Sequence, residues 1–223
     1  MYQSKQRRCD DRIVSIHQPH VRPMVRGRAN RSVEFGAKLG VSLDGSGLAY
    51  VDHLSWDAYH EARDLPDQVE QYRQRHGVYP EKVLADPLYG TLKNRRYLQS
   101  KGVRFAGKPL GRPRKQTQDN AAELKREKRQ RQQDYRERIP IEGKFGQGKR
   151  GYRLNYIQAK TARTSEAWIN SIFLVMNLLV LWQIFIDLRK IAKMFCCLER
   201  IGQCIGQFES KLASALNDTR RRV

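Results

Sequence analysis

Residues 135–149 read YRERIPIEGKFGQGK, and within them a phenol, a guanidinium, a carboxylate and an ammonium stand at Tyr135, Arg138, Glu142 and Lys149. On an uninterrupted helix their spacing brings all four to one face, within roughly 60°. A face that only gripped phosphate would lose affinity by carrying an anion. A carboxylate among phosphate-binding groups makes sense if it holds a divalent metal, because Mg²⁺ takes hard oxygen ligands and bridges to substrate phosphates.

The surrounding charge agrees with a phosphate-bearing partner. The chain has 223 residues and 43 Lys+Arg against 23 Asp+Glu, a formal net charge of +20. Residues 91–150 alone hold 19 basic and 6 acidic side chains. Such an excess favours a polyanion, since each neutralised phosphate releases condensed counterions. The 39% hydrophobic content is enough to build a core. Cys9, Cys196, Cys197 and Cys204 form no C-x-x-C pair, and MYQSKQRRCDDR lacks the apolar stretch of a signal peptide. Both features point to a reducing, intracellular setting.

The elements that must position the acidic and basic groups follow from local pattern. Residues 13–25, IVSIHQPHVRPMV, predict a short strand broken by Pro19 and Pro23. The runs 33–43 and 47–56 flank Asp44-Gly45-Ser46 and predict a β-hairpin. Asp64-Leu65-Pro66 opens a helix, with Asp64 as its cap, that Gly77 closes. Val83 and Leu84 then form a short buried strand, which leaves Asp86 at its carboxyl end, before a turn. Thr91 caps a helix through Leu98, closed by Gly102, and residues 103–107 give one more strand. This order predicts a mixed α/β sheet.

Residues 107–122 are rich in glycine, proline and charge and read as a linker or insertion. Its Gly111-Arg112-Pro113 resembles the core of a minor-groove AT-hook, but three residues are weak evidence and an ordinary basic loop is the stronger reading. Residues 122–138 predict a surface helix that Pro140 ends or kinks. Ala167–Ile186 carries no charge over the length of a membrane span. Asn170, Asn177 and Gln183 favour a buried central helix instead. From Leu188 to Leu212 apolar residues recur at threes and fours, predicting an amphipathic tail. His17 and His20 flank Gln18-Pro19 without a further ligand and read as structural or phosphate-contacting residues.

The pattern Tyr135-x(2)-Arg138-x(3)-Glu142-x(6)-Lys149 resembles the signature around the final acidic residue of DDE transposases of bacterial insertion sequences, in their Y-R-E-K subgroup. The stretches DRIVSIHQPHVRP (11–23), EFGAKLGVSL (34–43), LSWDAYHE (54–61), VLADPLYG (83–90) and IPIEGKFGQGKRGY (139–152) are similar to the same family. The resemblance implies an RNase H-like mixed sheet with flanking helices, in which three carboxylates hold two Mg²⁺ or Mn²⁺ ions for cut-and-paste transposition. It assigns Asp86 as the second acidic ligand and Glu142 as the third, both catalytic and metal-binding. Tyr135, Arg138 and Lys149 would hold the phosphates of double-stranded DNA at the transposon's inverted repeats. It further implies a cytoplasmic, nucleoid-associated protein with no membrane partner that could form homo-oligomers.

Two departures from the family temper this. Pro140, Gly143, Gly146 and Gly148 argue against one straight helix over 135–149, so the shared face requires the helix to kink at Pro140 and continue. The family's first aspartate lies on a strand upstream of the part similar to residues 11–23, where only ten residues stand, and neither Asp10, Asp11 nor the turn residue Asp44 fills its place. The expectation is an N-terminally truncated transposase without its first strand and DNA-binding domain. A stub at 1–10 would precede an incomplete catalytic domain at 11–186, including the basic insertion and surface helix at 107–130, and a helical tail at 187–223. Its two-ion site would be incomplete and its catalysis impaired. The alternative is a non-enzymatic DNA-binding remnant that modulates the intact enzyme.

Overall fold

The computed structural model describes the backbone of residues 12–28 and 31–220, and the side chains of residues 12–24 and 33–191. The chain divides into two compact units, Met1–Asn177 and Leu178–Val223. The predicted stub, Asp10, Asp11 and all four cysteine side chains lie outside the described residues.

In the first unit the predicted hairpin forms. Strand β3 (Lys38–Leu43) pairs antiparallel with β4 (Ala49–Ser55), with a register shift between Gly40 and Val41. Asp44 makes the turn: its carboxylate accepts from the backbone N–H groups of Ser46 and Leu48, each at 2.9 Å. This is the local aspartate chemistry that favours such turns. The upstream segment differs from expectation. Residues 12–22 form no strand, and β1 (Pro23–Arg28) starts at the second proline, whose missing N–H is tolerated at a strand's first residue. Its partner β2 (Arg31–Phe35) is separated from β3 at Gly36, whose φ of 139° breaks the expected single strand over 33–43.

Helix α1 (Leu65–His76) has Pro66 in its first turn and closes on Gly77 in the left-handed region. Asp64 does not cap it with its side chain, because that carboxylate is taken by Nδ1 of His53 at 2.7 Å. Strand β5 (Lys82–Leu84) runs parallel to β6 (Arg104–Ala106), with α2 (Leu92–Ser100) as the crossover. Thr91 caps α2 as predicted, accepting from the Asn94 N–H at 3.2 Å. Leu65, Val69, Leu98 and Val103 pack with Val83 and Phe105 in one apolar cluster. The mixed α/β character holds, but the described strands pair as three separate two-stranded sheets rather than one.

Helix α3 (Ala121–Gly151) follows the irregular segment after Ala106. It runs through Pro140, so the proline does not end it. An interior proline costs a helix about 3 kcal/mol. Here the residue lies on the exposed side, where water can meet the carbonyl left without a helical donor, and both flanks are anchored. Upstream, Asp134 is buried in ion pairs; downstream, Phe145 meets Phe173 edge-on at 6.5 Å and Gly148 packs beside Leu154 and Met176.

Helix α4 (Ala162–Arg220) begins in the first unit. Ile169, Ile172, Phe173 and Met176 are buried, and Ile169 and Phe173 share a cluster with Ala49, Leu39 and Val51 of the hairpin. Asn177 fixes this contact: its side chain accepts from the Ala49 N–H at 2.8 Å and donates to the Ala49 carbonyl at 2.7 Å. The expected buried central helix is therefore buried on one face only. Leu174 and Val175 are exposed there, because only the hairpin side offers apolar surface to cover.

The second unit is helical through Arg220. Leu178, Leu181, Trp182, Phe185 and Leu188 are exposed, and Trp182 stacks on Phe185 at 6.0 Å. By length and composition alone, Ala162–Ile191 could cross a membrane.

Candidate functional site

Asp86 follows β5 and caps a short 3-10 turn, Pro87–Tyr89. Its Oδ1 accepts from the Leu88 N–H at 3.2 Å. One carboxylate oxygen thus shapes the turn. Helix α2 holds the turn from behind: the buried Asn94 side chain donates to the carbonyls of Ala62 at 2.7 Å and Tyr89 at 2.9 Å. Arg95 donates to the Gly90 carbonyl at 3.0 Å while its guanidinium lies over the Phe105 ring. Gly90 sits in a tight place, since a Cβ would stand 3.0 Å from Phe105 and 3.2 Å from the Pro87 carbonyl oxygen.

A set of ion pairs brings α3 to the strand that carries Asp86. Arg104 of β6 grips the buried Asp134 carboxylate with two N–H···O bonds of 2.8 Å. Lys82 of β5 pairs with Glu137 and lies 3.9 Å from Asp134. The Arg104 hydrogen bonds hold the Asp134 carboxyl below the usual aspartate range. Asp134 and Glu137 immediately precede Tyr135 and Arg138, so these pairs set where the signature residues fall.

The outcome is a convergence on Arg138. Its Nη2 lies 3.1 Å from Glu142 Oε1 one turn along α3, and its Nη1 lies 3.7 Å from Asp86 Oδ2. The Arg138 guanidinium also sits 5.5 Å from the centre of the Tyr135 ring. Arg138 is 22% exposed, whereas the Asp86 and Glu142 side chains are each 60% exposed. Ion pairs this open contribute about 0.2–1 kcal/mol each. Lys149 is exposed two turns beyond Glu142 and pairs with none of these residues.

Along α3, Arg138 lies beside both Tyr135 and Glu142, and Asp86 approaches it from the turn after β5. Arg138 thus lies within ion-pair distance of both acids. The sequence reading missed Arg104, Asp134, Lys82 and Glu137. Nothing local marks them, because each pair joins residues distant along the chain.

Asp86 and Glu142 offer the hard oxygen donors that a divalent cation takes. They fall short of a two-ion cage. Among the described residues no group of three or more His, Cys, Asp or Glu is placed to hold a metal ion. Asp44 is committed to its turn. His17 is exposed, while His20 packs edge-on against Trp56 at 4.3 Å, and burial pulls its pKa below the ordinary histidine value.

The basic insertion is also tied down. Arg114 pairs with Glu123 and Glu127 of α3, while Gly111 takes a φ of 91° beside the exposed Arg112.

No curated protein and no solved structure matches the chain. Residues 83–179, which carry Asp86, Tyr135, Arg138, Glu142 and Lys149, match the family model described as the transposase DDE domain, which supports a DDE transposase.

Proposed function

We propose that the protein is an insertion-sequence transposase of RNase H-like type that binds double-stranded DNA at the ends of its element. In this reading Asp86 and Glu142 hold Mg²⁺ or Mn²⁺, and Tyr135, Arg138 and Lys149 grip the terminal phosphates along α3. The observation that carries it is the meeting of Asp86 and Glu142, distant in sequence, at one guanidinium on the basic helix. A bound divalent ion would supply charge neutralisation at a phosphodiester and a more acidic water. Arginine suits the phosphate contact through its planar fork of donors, and lysine contributes a point charge.

A second reading, DNA binding without catalysis, asks only for the positive charge the chain carries, a formal net charge of +20. Duplexes carrying the element's terminal inverted repeats, incubated with Mn²⁺ or Mg²⁺, separate the two. The transposase reading expects metal-dependent nicking that Glu142→Gln abolishes while leaving duplex binding intact. Binding without nicking, indifferent to Glu142→Gln, would leave the non-enzymatic reading. No preference for element ends over random duplex would remove both.

A further inference from the structure

We propose that the outward side of α3, along Lys125, Arg129, Gln132 and Arg136, is a second duplex-binding surface that holds double-stranded DNA by its phosphates. It goes beyond the functional reading above, which places DNA on the face of Tyr135, Arg138 and Lys149.

At the pitch of an α-helix the four side chains fall within roughly 60° of one another and cover about 16 Å of axis. Tyr135 and Arg138 centre roughly 120° away round the same axis, so the two surfaces are distinct. Lys125, Arg129 and Arg136 are exposed and have no ion-pair partner among the described residues.

The acids of α3 are disposed differently. Glu123 and Glu127 pair with Arg114 of the basic insertion, Asp134 with Arg104, Glu137 with Lys82 and Glu142 with Arg138. Every carboxylate on the helix thus has its counter-cation, and none balances the outward stripe. A face that served only solubility would mix the two signs, because opposite charges four residues apart support a helix. Lys125 and Arg129 stand four apart with like charge, which weakens a helix on its own. A polyanion lying along the stripe relieves that repulsion and releases its condensed counterions. An acidic protein partner is disfavoured, since the stripe carries no aromatic or aliphatic anchor of the kind that centres a protein interface.

Phosphate contacts carry no sequence information, so a random-sequence duplex is the probe. Fluorescence anisotropy over a salt series is measured on the whole protein with Lys125→Gln, Arg129→Gln and Arg136→Gln, singly and together. Glutamine is nearly as good a helix former as lysine or arginine, and far-ultraviolet circular dichroism establishes that each variant is folded. The triple variant should bind at least 10-fold more weakly at low salt, and each substitution should lower the slope of log affinity against log salt by about 0.9. Arg63→Gln, Lys93→Gln and Arg96→Gln together remove the same charge from exposed positions off α3 and should weaken binding less than threefold.

The stripe is refuted if its triple variant binds like the wild type, or if the control triple loses as much. Tighter binding of a double-stranded RNA of equal length, lost in the same triple variant, would overturn the assignment to DNA. Element-end and random duplexes that bind alike, yet both weaken in the triple variant, would leave the stripe standing and remove the transposase reading. A kept preference for element ends with no loss in the triple variant would do the reverse.

Discussion

Arg104 on β6 holds the buried carboxylate of Asp134 on α3 through two hydrogen bonds of 2.8 Å, and the signature begins at the very next residue, Tyr135. The pair fixes α3 in height and rotation against the parallel strands. Asp134→Asn should destabilise the protein by about 1–2 kcal/mol, less than for a fully buried pair because Arg104 is partly exposed. The loss should depend on pH. The folded-state pKa of Asp134 lies below its ordinary value of 3.8, so its contribution is fully present above that value and disappears as pH falls through the lower one. Urea denaturation of both proteins at neutral pH and near pH 3 measures this; a gap that stays constant or widens in acid would count against the pairing.

Asn177 joins α4 to the hairpin by satisfying both backbone groups of Ala49, a residue only 2% exposed. Asn177→Ala leaves a buried donor and acceptor unpaired and should cost about 1–3 kcal/mol. Amide hydrogen exchange at Ala49 should quicken together with its neighbours on β4. Unchanged protection would mean that the apolar contacts of Ile169 and Phe173 hold the helix without the amide.

Gly90 sits where the turn bearing Asp86 meets Phe105. Gly90→Ala forces a Cβ against the Pro87 carbonyl, which is backbone and cannot rotate aside, and overpacking of this kind costs about 1–3 kcal/mol. Thermal unfolding should report the loss. A wild-type midpoint would show that the turn has slack and does not hold Asp86 firmly.

Lys149 lies free on the exposed side of α3, and the proposed role is contact with one phosphate. Lys149→Gln should reduce the slope of log affinity against log salt for duplex DNA by about 0.9. Fluorescence anisotropy over a salt series reads the slope directly. An unaltered slope would place the DNA elsewhere on the basic surface.

How much of this was legible follows from how local each feature is. The Asp44 turn, the Thr91 cap, the Gly77 stop and the position of Asp86 after β5 depend on a few adjacent residues, and each was readable. Asp64 looked like a cap by the same logic, but His53, from a different element, claims its carboxylate. Pro140 looked like a break because intrinsic preference says so; anchoring of α3 at Asp134 and Phe145 overrides it. The burial of α4 was overestimated because composition cannot tell how much surface exists to cover it. The nearness of Arg138 to Asp86 was not readable, since the approach of Asp86 from the turn after β5 is a tertiary fact with no trace in the helix spacing.

The central claim is that Asp86 and Glu142 serve one cation together, and Mn²⁺ binding by the wild type, Asp86→Asn, Glu142→Gln and the double variant tests it most directly. Each single substitution is expected to remove most of the affinity, with the double variant scarcely worse than either. Losses that simply add, or single variants that bind Mn²⁺ like the wild type, would contradict it.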